Sequence, residues 1–152
     1  MRKIKNLLLF FIALSAATTL QAQQADAIVG TYSVTSPNSD NKAKIQVFRA
    51  KNGTYFGKYT WTSAKNADGS PVLDLNNQDK SKRNRPIIGL VTFWNLTFKD
   101  GEYIGGSIYD PVSGKTYSIK GKMASNGRDV EVRYYWKRPA LGKDAIWKRI
   151  DH

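Results

Sequence analysis

Residues 87–109 read IIGLVTFWNLTFKDGEYIGGSIY, two runs rich in Ile, Val, Phe, Trp, Tyr and Thr parted by Asp100-Gly101. β-Branched and aromatic residues fit the pleated, half-buried surface of a strand. An Asp-Gly pair adopts the positive φ of a tight turn, so the two runs fold back on each other antiparallel. Asn52-Gly53 and Asn126-Gly127 part similar runs in the same way. Helical periodicity is nearly absent beyond the first residues. The pattern predicts eight strands near 28–34, 43–50, 54–62, 87–98, 102–109, 115–123, 128–137 and 144–150. Hairpins joining the second to the eighth make an up-and-down meander. Eight such strands bury one face and lose their edges by closing into a barrel. The expected fold class is therefore all-β, an antiparallel barrel of about eight strands, with an open or sandwiched antiparallel sheet as the alternative.

In a meander, odd and even connections emerge at opposite ends. All three tight turns fall at one end. The other receives residues 35–42, 63–86, 110–114 and 138–143. The stretch 63–86, SAKNADGSPVLDLNNQDKSKRNRP, has 24 residues and no convincing strand. Structureless loops longer than about 12–15 residues are uncommon in compact domains and often functional. It is expected to be a lid over the barrel mouth, a mobile insertion, or a short helical plug near Leu73 to Asn77.

The chain has 152 residues with 24 Lys+Arg, 12 Asp+Glu, no Cys and one His at position 152. Disulfide frameworks, thiol nucleophiles and Cys/His zinc sites are excluded. A Ser-His-Asp triad would need its base at the fraying terminus. Arg2, Lys3 and Lys5, then an apolar run from Leu7 to Ala17, then small and polar residues to Ala22, follow the order of a secretory signal peptide. The run is about half of the ~20 residues that span a bilayer. Cleavage after Ala22 leaves 130 residues, 23–152, as one barrel domain, and removal of those three charges takes the net charge from +12 to +9. A periplasmic or secreted location is expected, without an integral membrane segment. Nucleic acid is an unexpected partner for such a chain. Scattered Asp and Asn at 68–79 lack the EF-hand spacing, so neither metal nor cofactor is expected.

Three segments carry a resemblance. The first is Asp74-Leu75-Asn76-Asn77 with Arg83-Asn84-Arg85-Pro86-Ile87-Ile88-Gly89-Leu90. The second runs from Gly105 to Tyr117, GGSIYDPVSGKTY, and the third joins Val130 to Tyr135, Leu141-Gly142-Lys143 and Trp147-Lys148-Arg149. Together they resemble the exported bacterial domain-of-unknown-function family numbered 2147. The resemblance implies a calycin-like barrel, related in shape to lipocalins and fatty-acid-binding proteins, and no established activity. The chain departs from the family pattern at Tyr32, in place of a frequent Trp, at Gln78, in place of a Pro, and at Tyr134, in place of a Gly.

Gly30, Tyr32, Trp147 and Arg149 fall toward the trimmed end, where an Arg over an aromatic ring would close the floor by cation–π contact as in lipocalins. That role is structural. Asp74, Asn77, Arg83 and Arg85 lie in the long loop, where charge-assisted Arg–Asp bonds would order it and a spare guanidinium would suit a ligand carboxylate or phosphate. Tyr109, Asp110 and Tyr117 flank the turn at 110–114, whose Asp, Pro and Gly also serve turn geometry. Trp61, Arg133 and Trp136 approach the same end, as aromatic walls and a polar anchor or as plain core filling. Val130, Val132, Tyr134 and Trp136 share the inward face by period-two patterning. Arg133 sits on the other face unless the cavity turns it inward.

The leading functional expectation is a non-enzymatic exported barrel that binds a small, partly apolar and acidic molecule at the loop-rich end. An interior cavity of several hundred Å³ would mark it, and a filled interior would sink it. The alternative is a basic module for an anionic cell-envelope polymer or lipid. A third reading pairs Asp74 with Asp110 as acid and base for glycan hydrolysis.

Overall fold

The computed structural model describes residues 19–36 and 38–151. Most of the expected export signal lies outside them; its last four residues, 19–22, belong to a helix at 19–25. Among the described residues no helix is long and apolar enough to cross a membrane.

Eight strands follow in order: β1 Gly30–Thr35, β2 Lys42–Arg49, β3 Tyr55–Thr62, β4 Val91–Lys99, β5 Glu102–Asp110, β6 Lys115–Met123, β7 Val130–Tyr135 and β8 Gly142–Arg149. Each pairs antiparallel with the next, and β8 returns to β1 through Tyr32↔Arg149 and Ser33↔Lys148, which closes the barrel. The expected meander is thus present, and closed.

Strand ends differ where local geometry overrides composition. The apolar run 87–90 is not strand: Gly89, at φ 88°, turns the chain and donates its N–H to the Tyr59 carbonyl, while Leu90 donates to Ile87. Residue 28 ends a 3-10 turn, Asp26–Ile28, so β1 begins two residues later than expected. Lys137 at φ 62° ends the run that β7 began.

Alternation along β7 buries Val130, Val132 and Tyr134 and leaves Glu131 outside. The same rule sends Tyr32, Ile45, Val47, Tyr55, Phe93, Leu96, Tyr103, Ile108, Ile119 and Trp147 inward. Gly57 exists for this core, since a Cβ there would collide with the Phe93 ring. Trp147 lies against Phe93 with ring centroids 5.2 Å apart and donates its indole N–H to the Tyr134 hydroxyl at 2.7 Å.

The trimmed end is sealed by polar bonds. Arg149 lies 4.9 Å over the Tyr32 ring, donates to its hydroxyl at 2.6 Å, and reaches the carbonyls of Ala27, Val29 and Arg128. A Cβ on Gly30 would occupy the guanidinium's place. The hydroxyl of Tyr103 donates to the carbonyl of Ala25, and that of Tyr55 to Asp26 Oδ1 at 2.7 Å. Burial pushes Tyr103 up to about 12, so it stays a neutral donor. Asp129 accepts from Lys148, Arg149 N–H and Asn126, which holds its carboxyl down at about 2, the Lys148 bond contributing most.

Candidate functional site

The interior is filled. Beneath the mouth a space of about 80 Å³ remains, walled by Tyr59, Ile108, Tyr134 and Trp147 among others. It has room for a few waters, whereas small-molecule pockets run to ~300–1,000 Å³. Among the described residues the expected interior cavity of several hundred Å³ is therefore absent, because bulky aromatics from β3, β7 and β8 occupy the space, and this overturns the expectation that a ligand is held inside the barrel. Burial drives the Tyr59 hydroxyl up to about 12, and it pushes Tyr134 higher still.

The larger volume is a groove on the rim, about 770 Å³. Gln78, Lys82 and Arg85 of the loop face Val91 and Trp94 of β4, Tyr109 of β5, and Lys115, Thr116 and Tyr117 of β6. Trp136 closes the far side, edge-on to Tyr117 with centroids 6.4 Å apart and more than half exposed.

The loop that forms one bank is fastened chiefly at one carboxylate. Leu73 bridges Pro86, and the backbone N–H groups of Asp74 and Ile87 donate to the carbonyls of Arg85 and Val72, which makes a short ribbon. At its tip Asp74 is fully buried. It accepts the Tyr109 hydroxyl at 2.5 Å, the Asn77 amide at 2.8 Å, and both Nε and Nη2 of Arg85 at 3.0 Å. Burial, then the bond to Asp74, pushes the Tyr109 hydroxyl far above its usual range, so it remains a donor. Arg83 Nε donates to the Asn77 carbonyl at 2.7 Å. The Asn76 amide donates to the Val112 carbonyl at 2.8 Å, and Gly114 at φ 68° leaves the space that the Asn76 carbonyl fills. The stretch is thus a pinned bank beside the mouth and not a helical plug.

Asp110 is buried as well, and accepts from Ser36, Asn38, the N–H groups of Val112 and Ser113, and the Ser113 hydroxyl. It organises the turn and holds the 36–38 connection against it. Both carboxylates read as an acid–base pair are thus enclosed by protein donors.

Arg85, Tyr109, Asn77, Tyr117 and Trp136 come together at the groove, with Asp74 beneath. Trp61 and Arg133 do not. Tyr59 pairs with Ile45 but Trp61 pairs with Lys44, so Thr60 is an extra residue that reverses the parity of β3. Trp61 therefore faces outward beneath the Lys44 ammonium, 5.5 Å from its ring. Arg133 lies on the outer face of β7, held by Asp144 and the Pro139 carbonyl, each at 2.6 Å. Sequence reasoning missed Lys82, Trp94 and Lys115. Trp94 was legible as the solvent-side neighbour of Phe93; Lys115 was marked only by its place at the exit of the turn.

The groove carries Lys82, Arg85 and Lys115 against Asp79 alone. Asp79 is paired with Lys82 at 3.1 Å and is held at about 2, chiefly by the Ser81 side chain. Arg85 is paired with Asp74, and Lys115 has no ion pair among the described residues. Among those residues, no three His, Asp or Glu gather to hold a metal.

A family described as an uncharacterized protein conserved in bacteria, DUF2147, matches residues 30–149. No sequence among the curated proteins matches. A solved structure is similar: protein HP1028 from the human pathogen Helicobacter pylori, described as belonging to the lipocalin family. It has a TM-score of 0.69 and 28% identity, with 82% of this chain and 83% of that chain covered. With its strands, turns and closing pair all inside the matched span, the chain belongs to the DUF2147 family and folds as a lipocalin-like barrel.

Proposed function

We propose that this protein is a non-enzymatic, exported binding protein for a small amphiphilic acid, taken up in the rim groove and not in the barrel interior. The observation that carries the reading is the groove's composition: an exposed Trp136 edge-on to a half-buried Tyr117, beside an ammonium, Lys115, with no ion-pair partner among the described residues. Aromatic side chains bring large apolar area with a polar tip. A cation beside them favours a ligand with one anionic end. The lipocalin-like barrel supports small-molecule binding in general; the groove chemistry supports the acidic, partly apolar class. The complete enclosure of Asp74 and Asp110 by donors supports a role without catalysis.

Native mass spectrometry of the protein exported by a bacterial host tests this. The expected spectrum shows an added mass that vanishes on denaturation and is absent from the Lys115→Glu/Trp136→Ala double variant. An added mass retained in full by that variant would place the ligand elsewhere.

A further inference from the structure

The two ends of the barrel differ in charge and in how many large apolar side chains they expose, with Leu20, Val29 and Ile150 the only such side chains exposed among the described residues of the trimmed end. The loop-rich end, counted as residues 35–42, 62–91, 110–115 and 135–142, holds nine Lys or Arg against five Asp. Two of those five, Asp74 and Asp110, are buried, which leaves three acidic groups at the surface. The trimmed end, counted as 19–30, 49–55, 99–102, 123–130 and 149–151, holds five of each sign. Within the loop-rich segments the ion pairs among described residues join only Lys82 to Asp79 and Arg85 to Asp74.

Among the described residues, seven large apolar side chains protrude from the loop-rich end: Trp61 beside its rim, then Leu75, Ile88, Val91, Val112, Trp136 and Leu141. Leu141 is 70% exposed and Leu75 63% exposed. They come from five separate connections or strand ends, so they ring the mouth instead of lining one groove. Aliphatic tips this exposed have no part in holding the fold, and they add nothing to the capture of a hydrophilic polymer.

We infer that the loop-rich end docks on the surface of an anionic phospholipid bilayer, with Leu75, Ile88 and Leu141 entering the acyl boundary, Trp61 and Trp136 at headgroup level, and the surrounding Lys and Arg on lipid phosphates. Each part matches a region of the bilayer. Leu and Ile transfer favourably into hydrocarbon, and Trp concentrates at the interface. Lys and Arg are drawn to the negative surface within a Debye length. A second copy of the chain is a poor occupant, since it would bring one basic face against another. Docking in this orientation turns the groove toward the membrane, yet it does not require the groove to bind anything.

Sedimentation of the exported protein with phosphatidylglycerol/phosphatidylcholine vesicles, and with pure phosphatidylcholine vesicles, tests the inference. Leu75 and Leu141 lie outside the groove, and the charge-neutral double variant Leu75→Ser/Leu141→Ser is compared after circular dichroism confirms its fold. Binding to the anionic vesicles is expected to exceed binding to the neutral ones and to fall at least ~10-fold in the double variant. It is expected to be unchanged in Ile146→Ser, which alters an exposed apolar residue on the barrel wall. Vesicles with brominated acyl chains are expected to quench the wild-type Trp fluorescence. No binding to anionic vesicles at low salt would overturn the inference. So would binding that salt removes while the double variant binds like wild type, since that is adsorption by charge alone, as to a polyanion. The ligand reading stands or falls separately, by the native mass spectrum.

Discussion

Replacement of Asp74 by Ala is expected to lower stability by about 2–4 kcal/mol and to free the 63–90 loop, because three donors lose their shared acceptor. The Tyr109 hydroxyl has the most to lose, being held at 2.5 Å by a fully buried carboxylate. Leaving one buried donor unsatisfied costs about 1–3 kcal/mol. The Arg85 side chain is 39% exposed and regains water when released, so its share is smaller than in a fully buried pair. Asp74→Asn keeps one acceptor oxygen and is expected to fall between wild type and Ala. Urea denaturation checks the magnitude. Trypsin checks the location, since Lys80, Lys82 and Arg83 lie in the loop and should become early cleavage sites only when its pin is gone.

The second large effect is expected at Trp147. Its ring packs against Phe93 at 5.2 Å and Tyr32 at 6.2 Å, and its indole N–H satisfies the Tyr134 hydroxyl. Truncation to Ala removes those contacts and leaves a void that β-strands closed in a ring cannot easily collapse, at a cost of about 3–5 kcal/mol. For a domain of this size that lowers Tm by roughly 10–20 °C. Trp147→Phe keeps most of the volume and is expected to lose only about 1–2 kcal/mol, chiefly the bond to Tyr134. Differential scanning calorimetry of the two variants separates packing from hydrogen bonding. Equal losses would mean that the indole N–H, not the ring, holds this part of the core.

The eight strands were legible because two local signals agreed: period-two patterning and Asn-Gly or Asp-Gly turns. Direction counting along the meander then placed the loops. What escaped the sequence was parity. One inserted residue, Thr60, turned Trp61 from an expected wall of the mouth into an outward side chain, and nothing in the run YFGKYTWT marks which residue bulges. The run Ile87 to Leu90 has strand composition, but Gly89 takes a positive φ that composition does not register. The Asp74–Arg85 pair was anticipated as a type of bond. Its third member, Tyr109, comes from β5 and was recognised only as a residue near the same end. The interior was misjudged for a different reason: alternation tells which side chains point inward but not whether they meet. Trp147 bonds Tyr134, and with Tyr59 they wall the small space that remains, so the usable volume moves to the rim.

On this reading ligands bind in the rim groove and not inside the barrel. A fluorescence titration with 1-anilinonaphthalene-8-sulfonate, an amphiphilic anion, tests it against Lys115→Glu, Trp136→Ala and the interior variant Tyr134→Phe. Loss of about 1.4 kcal/mol of contact at either rim residue predicts about tenfold weaker binding, while Tyr134→Phe should bind within about twofold of wild type. Undiminished binding by both rim variants, with weakening by Tyr134→Phe, would contradict the claim and return the site to the barrel interior.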